Sequence, residues 1–209
     1  MKKLQFVGVA AVLLLLCVGA DSYAQSKFGI KGGVNLTNLY SGDNISDNNM
    51  KVGFNAGIYA KAQIIEDVLF IQPELLYTRK GAQANYSNIL QGKGKYQFGL
   101  GYVQLPVLLG VNIGNFNIHA GAYAAYLTDA RIKDVNNDGT IRGATELNRS
   151  NFNSFDWGLS GGIGMDFEAA QIGLRYDMGM RPIGDSGLAG ELTKNAKNSA
   201  LQLYVGFHF

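Results

Sequence analysis

The stretch FDWGLSGGIGMDF, residues 155–167, alternates between two kinds of position without a break. Phe155, Trp157, Leu159, Ile163, Met165 and Phe167 share one side with Gly161, while Asp156, Gly158, Ser160, Gly162, Gly164 and Asp166 share the other. A period of two belongs to a β-strand, whose successive side chains point to opposite faces. One face is fully apolar and the other small or acidic, so the strand separates two unlike surroundings.

The same pattern recurs along the chain. Strands are predicted over 27–38, 52–64, 68–79, 102–113, 115–127, 154–168, 170–181 and 199–209. Each exceeds the roughly 5–6 residues of a usual strand and reaches the ~9–11 that a tilted strand needs to cross a bilayer. The apolar faces carry no charged residue, although 16% of the chain is charged. The opposite faces collect Lys31, Lys61, Gln72, Glu74, Gln104, His119, Asp156, Asp166, Arg175, Asp177, Gln202 and many glycines. Connections alternate too: tight ones at Glu66-Asp67, Gly114-Asn115 and Ala169-Ala170, long polar ones over 39–51, 80–101, 128–153 and 182–198. This is the pattern of an all-β, eight-stranded antiparallel up-and-down barrel with both ends on the tight-turn side.

Two such barrels share this alternation. A soluble ligand-binding barrel turns its apolar face inward, and a transmembrane barrel turns it to lipid. Glycines decide between them. Gly29, Gly33, Gly57, Gly121, Gly158, Gly162, Gly173 and Gly206 lie on the polar face, where they would only weaken a solvated exterior. In a narrow interior they make room for Tyr59, Tyr102, Tyr123 and Tyr204. Aromatics also collect at two rims of the apolar face, Phe28, Phe116, Phe167 and Phe209 at one, Phe54, Tyr77, Tyr126, Phe155 and Trp157 at the other. Such rings form the girdles of a membrane barrel.

Composition closes off other classes. A net charge of +2 gives no field to track phosphates, so nucleic acid is not an expected partner. The single cysteine, Cys17, rules out a disulfide framework or a cysteine zinc site. Residues 1–24 read as a signal peptide: Lys2 and Lys3, an apolar run from Val7 to Val18, then Ser22-Tyr23-Ala24. The barrel domain is therefore assigned to 25–209.

The order of motifs resembles the PorT-like outer-membrane β-barrel family of Bacteroidetes. The matching pieces are GIKGGVNLTNL (29–39), GFNAGIYAKA (53–62), LFIQPELLYTRKG (69–81), YVQLPVLLGV (102–111), HAGAYAAYL (119–127), FDWGLSGGIGMDF (155–167), LRYDMGM (174–180) and LQLYVGFHF (201–209). The resemblance implies an integral outer-membrane protein. It is expected to have a structural, interaction or envelope-transport accessory role, no wide pore and no enzymatic machinery. Both mature termini would then be periplasmic, and the external loops would meet an envelope or extracellular partner.

Candidate chemistry lies on the inner face. Four acids, Glu74, Asp156, Asp166 and Asp177, meet three bases, Lys31, Lys61 and Arg175; buried charges persist when paired, so a lumen salt-bridge network is expected. The sharpest expected pair is Glu74 with Arg175, across the barrel. His119 with Ser160 and an acid could instead suggest a lipid-modifying hydrolase, but no catalytic spacing appears. No cofactor is expected, save that Asp134, Asn136, Asp138 and Gly139 match the start of a calcium loop whose closing carboxylate, Glu146, falls one residue late. Pro73 and Pro106 interrupt two neighbouring strands, where a local bulge or irregularity, one distortion shared by both, is expected. Phe207 and Phe209 on the final strand look like the signal read by the outer-membrane barrel assembly machinery. Phe209→Ala is expected to lower the fraction assembled in membranes, read as loss of the heat-modifiable band on gels.

Overall fold

The computed structural model describes residues 26–40, 50–88, 92–136, 141–146, 152–184 and 196–209; the predicted signal peptide over 1–24 lies outside them. Its strands are β1 (Lys27–Tyr40), β2 (Lys51–Ile65), β3 (Leu69–Asn88), β4 (Gly92–Ile113), β5 (Phe116–Asn136), β6 (Ile141–Glu146), β7 (Phe155–Asp166), β8 (Ala170–Pro182) and β9 (Lys197–His208). Eight of these close a ring of antiparallel neighbours in the order β1, β2, β3, β4, β5, β7, β8, β9. The ring closes through β1 and β9, in register from Gly29↔His208 to Tyr40↔Lys197. Closure leaves the ring no free edge, so its backbone donors and acceptors are met within the sheet, as a bilayer requires. The short β6 stands outside the ring and pairs only with the far end of β5, from Arg131↔Glu146 to Val135↔Ile141.

Side chains sort as their alternation dictates. On β8, Ile172, Leu174, Tyr176, Met178 and Met180 are exposed, and Gln171, Gly173, Arg175, Asp177 and Gly179 between them are buried. Phe54, Ile58, Leu109, Phe116, Ile118, Trp157, Leu159, Ile163, Leu203 and Val205 continue the exposed apolar surface around the barrel. An apolar face this continuous is a lipid-facing belt rather than a water-facing exterior. At the tight turns, Asp67 and Gly114 take up the left-handed backbone that such short connections need.

Two glycines show how small the barrel is. An added Cβ at Gly57 would run into the carbonyl oxygen of Leu75, and one at Gly121 into that of Val107. Adjacent strands therefore bend around each other at these inward positions, where any side chain would hold them apart. Gly29, Gly158 and Gly173 make room for the rings of Tyr59, Tyr123 and Tyr204 respectively. Tyr102 packs with Tyr123 in an apolar cluster.

Two expectations need correction. The polar stretch 80–101 is largely strand, because β3 and β4 continue as a paired hairpin from Lys80↔Leu100 to Asn88↔Gly92. Likewise β5 runs past 128 to Asn136 and pairs with β6, so part of 128–153 is ladder. Apolar alternation marks only where strands touch lipid, and backbone pairing continues beyond it without that pattern. The prolines coincide with the local irregularity expected of them, which is a gap in pairing with no bulge. Pairing is silent between Pro73↔Val107 and Leu76↔Gln104, yet the register is the same on both sides. A proline removes a donor without adding a residue, so bonds are lost while the count is kept. The register shifts among the described residues lie elsewhere, between Gln63 and Ile65, Gly101 and Tyr102, Asp134 and Val135, and Met178 and Pro182.

Candidate functional site

Alternation on β1, β3 and β8 points Lys31, Glu74, Arg175 and Asp177 into the lumen, where their side chains are fully buried. Glu74 bridges two cations: Lys31 Nζ donates to Oε1 at 2.7 Å and Arg175 Nη1 to Oε2 at 2.8 Å. Gln72 Nε2 also donates to Glu74 Oε1, at 2.7 Å. Arg175 Nη2 donates to Gln202 Oε1 at 3.0 Å, and Gln202 Nε2 passes the chain on to Asp177 at 2.7 Å. Asp177 further accepts from Gln104 at 2.8 Å and Ser160 at 2.7 Å. The Lys31 ammonium lies 3.5 Å from the centre of the Tyr204 ring. Each of these four charges is thus paired and hydrogen-bonded, the condition under which ions persist away from water.

Lys80 belongs to this centre and was not foreseen. It is buried, its Nζ 3.6 Å from Asp177 and 4.3 Å from the centre of the Tyr123 ring. The series Gln72, Glu74, Leu76, Thr78, Lys80 carries it inward, one residue beyond where the apolar pattern ends. Four acids against three bases was itself the missing signal, because a sealed lumen favours balance.

The other candidates form separate groups. Lys61 pairs with Asp166 at 2.7 Å near the tight turns, above the Phe70 ring at 3.9 Å, and Asn117 donates to the same carboxylate at 2.6 Å. Lys61 and Asp166 line an open vestibule of about 760 Å³ that also takes in Lys27, Asn112 and Glu168. Asp156 joins neither group; it accepts from Asn198 at 2.9 Å and from the Tyr123 hydroxyl at 3.4 Å. At the opposite end Leu100, Tyr102, Tyr123, Leu127, Phe152 and Ile183 are packed together against Phe98. Phe152 and Ile183 come from the loop ends, joined by a bridge between Phe152 and Gly184. The lumen therefore carries three barriers in series: an ion pair over an aromatic ring, a buried charge network, and an apolar plug.

His119 and Ser160 do not assemble a nucleophile. His119 Nδ1 lies 2.8 Å from Asn117 Oδ1, whereas Ser160 Oγ donates to Asp177. Phe207 and Phe209 are exposed on the lipid side of the last strand. Asp134 and Asn136 fall within β5, but their side chains, like Asp138 altogether, lie outside the described residues.

A closed antiparallel ring with an apolar outside and a charged, filled inside is the architecture of a bacterial surface-membrane barrel. The family described as outer membrane protein beta-barrel domain matches residues 23–185. The chain belongs to this family. It is an integral outer-membrane β-barrel protein, with the exposed belt of β1–β5 and β7–β9 in the lipid. No curated relative matches the chain. Among solved structures it is similar to Ail of Yersinia pestis, crystallised with the heparin analogue sucrose octasulfate, at 10% identity and a TM-score of 0.47 over 88% of this chain and 99% of that one. Neisserial surface protein A is similar at 14% identity and a TM-score of 0.49, over 87% of this chain and 97% of that one. The N-terminal barrel domain of Pseudomonas aeruginosa OprF gives 13% identity and a TM-score of 0.31, over 88% and 100%.

Proposed function

We propose that this outer-membrane barrel is a closed, non-enzymatic scaffold. It presents its loop-side surface to an envelope or extracellular partner and keeps both mature termini in the periplasm, as a PorT-like protein would. The observation that carries this reading is the Lys31–Glu74–Arg175 bridge, spanning the lumen between β1, β3 and β8 with all three side chains buried. Eight strands enclose only enough space for side chains, and here the space is taken by paired charges that an ion would have to break. The separation of His119 from Ser160, and the burial of both in the lumen, argue against a lipid-hydrolysing centre. Planar-bilayer recording of the purified barrel tests the reading. No stable conductance step is expected from the wild type; a steady, large conductance would overturn it.

A further inference from the structure

The last inward side chain of the closing strand, His208, meets three other elements at the tight-turn end. Its Nδ1 lies 3.0 Å from the Tyr59 hydroxyl of β2, and its Nε2 lies 2.9 Å from the Glu168 carbonyl oxygen in the turn between β7 and β8. The same Nε2 lies 3.2 Å from the Lys27 ammonium of β1. Backbone bonds frame the ring: His208 N–H donates to the Ala169 carbonyl oxygen at 3.0 Å, and Phe209 N–H to that of Phe28 at 2.9 Å. A Cβ at Gly29 or Gly206 would press on the Tyr59 ring, so both glycines clear its path to His208.

The three contacts cannot all be hydrogen bonds at once. A neutral imidazole carries one N–H and one lone pair, whereas an ammonium only donates and a carbonyl oxygen only accepts. With its proton on Nδ1, the ring donates to Tyr59 and accepts from Lys27. With the proton on Nε2, it donates to Glu168 and turns an N–H toward the ammonium. The Tyr59 hydroxyl gives or takes, so it suits either form. A doubly protonated ring donates to Tyr59 and Glu168 together, and sets a second positive charge against Lys27. Lys27 therefore has this partner only while Nε2 is bare.

The charged groups around the ring decide where Lys27 turns when that partner is lost. Asp166 at the end of β7 and the Glu168 side chain line the same vestibule as Lys27, together with Asp67 from the β2–β3 turn and Lys61. Asp166 already holds Lys61 at 2.7 Å. Glu168 belongs to the turn whose carbonyl oxygen touches the ring, so its carboxylate is the acid placed to receive the displaced ammonium.

We propose that His208 is a pH-operated latch on the seam of the barrel. Neutral, it holds Lys27 and ties the first strand to the last; protonated, it keeps Tyr59 and Glu168 and releases Lys27 into the vestibule toward the Glu168 carboxylate. Histidine is the side chain whose ordinary titration falls near neutrality, so mild acidification works the latch. The charge pattern at this mouth of the barrel changes with it.

The test uses the purified full barrel in neutral detergent, treated with a zero-length carbodiimide crosslinker and mapped by peptide mass spectrometry. The yield of the Lys27–Glu168 crosslink is divided by that of Lys61–Asp166, which cancels the reagent's own pH dependence. The ratio is expected to rise at least about threefold from about pH 7.5 to pH 5.5. In His208→Gln, whose side chain takes up no proton in this range, it should stay flat while heat-modifiable mobility is kept. A flat ratio in the wild type, or the same rise in the variant, overturns the latch. Should His208→Gln not fold, the wild-type ring is read directly by ¹⁵N NMR of histidine-labelled barrel, its signal identified by proton contacts with the Tyr59 ring. A bare Nε2 at about pH 7.5 is expected; a proton on Nε2 there overturns the proposal, because it would face Lys27.

Discussion

Replacing Glu74 by Gln is expected to lower the unfolding free energy by about 3–5 kcal/mol, the usual cost of removing one partner from a buried ion pair. The measurement is the urea midpoint of the barrel refolded into lipid vesicles, followed by heat-modifiable mobility. The large effect has a specific origin. Glu74 is shared by Lys31 and Arg175, so the substitution strands two buried cations rather than one. Arg175 retains Gln202 and a weaker approach to Asp177 at 3.6 Å. Lys31 keeps the face of Tyr204 and, at most, a neutral amide oxygen in place of the carboxylate. Adding Lys31→Met to Glu74→Gln should therefore recover at least about 1 kcal/mol, because the second change removes the charge that the first left unpaired. If the double variant is instead the sum of the two single losses, Glu74 is not the shared anion of this network.

Gly121→Val is expected to act on closure of the barrel itself. Overpacking usually costs about 1–3 kcal/mol when neighbouring side chains can give way. The obstacle at Gly121 is the backbone of Val107 and Leu108, which cannot move to another rotamer, so the cost should reach the top of that range or beyond. The folded band after refolding should fall sharply. Gly161→Val provides the contrast: an added Cβ at 161 meets nothing within 4 Å and points toward lipid. That variant should refold as the wild type does. Equal loss in both would mean that glycine serves strand flexibility in general rather than the curvature of the inner wall.

These outcomes separate what alternation encodes from what it leaves open. On β7 and β8 every inward and outward side chain can be assigned from the sequence, because a strand between lipid and a filled lumen has two unlike faces. The same rule brought Glu74, Arg175 and Asp177 onto one inner face. It stopped at Lys80, since β3 continues past the lipid into a hairpin whose outer residues meet no apolar solvent and show no alternation. The rule was also silent on Asp129, which the register shift beside Gly101 sets opposite that glycine and 2.8 Å from Arg79 Nη2. Nothing in the local sequence distinguishes a bulge there from a plain polar loop. Pro73 and Pro106 did mark an irregularity, a gap in pairing between Pro73↔Val107 and Leu76↔Gln104 across which the register is kept.

By itself the sequence determined the eight crossing segments, their inner and outer faces, and hence a barrel that lives in a membrane. Each of these follows from a period of two and from the solvent that each face must meet. The tertiary structure alone decided how the inner charges divide, with Glu74 bridging Lys31 and Arg175, Lys61 turned to Asp166, and Asp156 left to amide and hydroxyl partners. Partnership across a lumen or over a neighbouring strand depends on register, curvature and depth. These are fixed when the ring closes, not by any stretch of chain read alone.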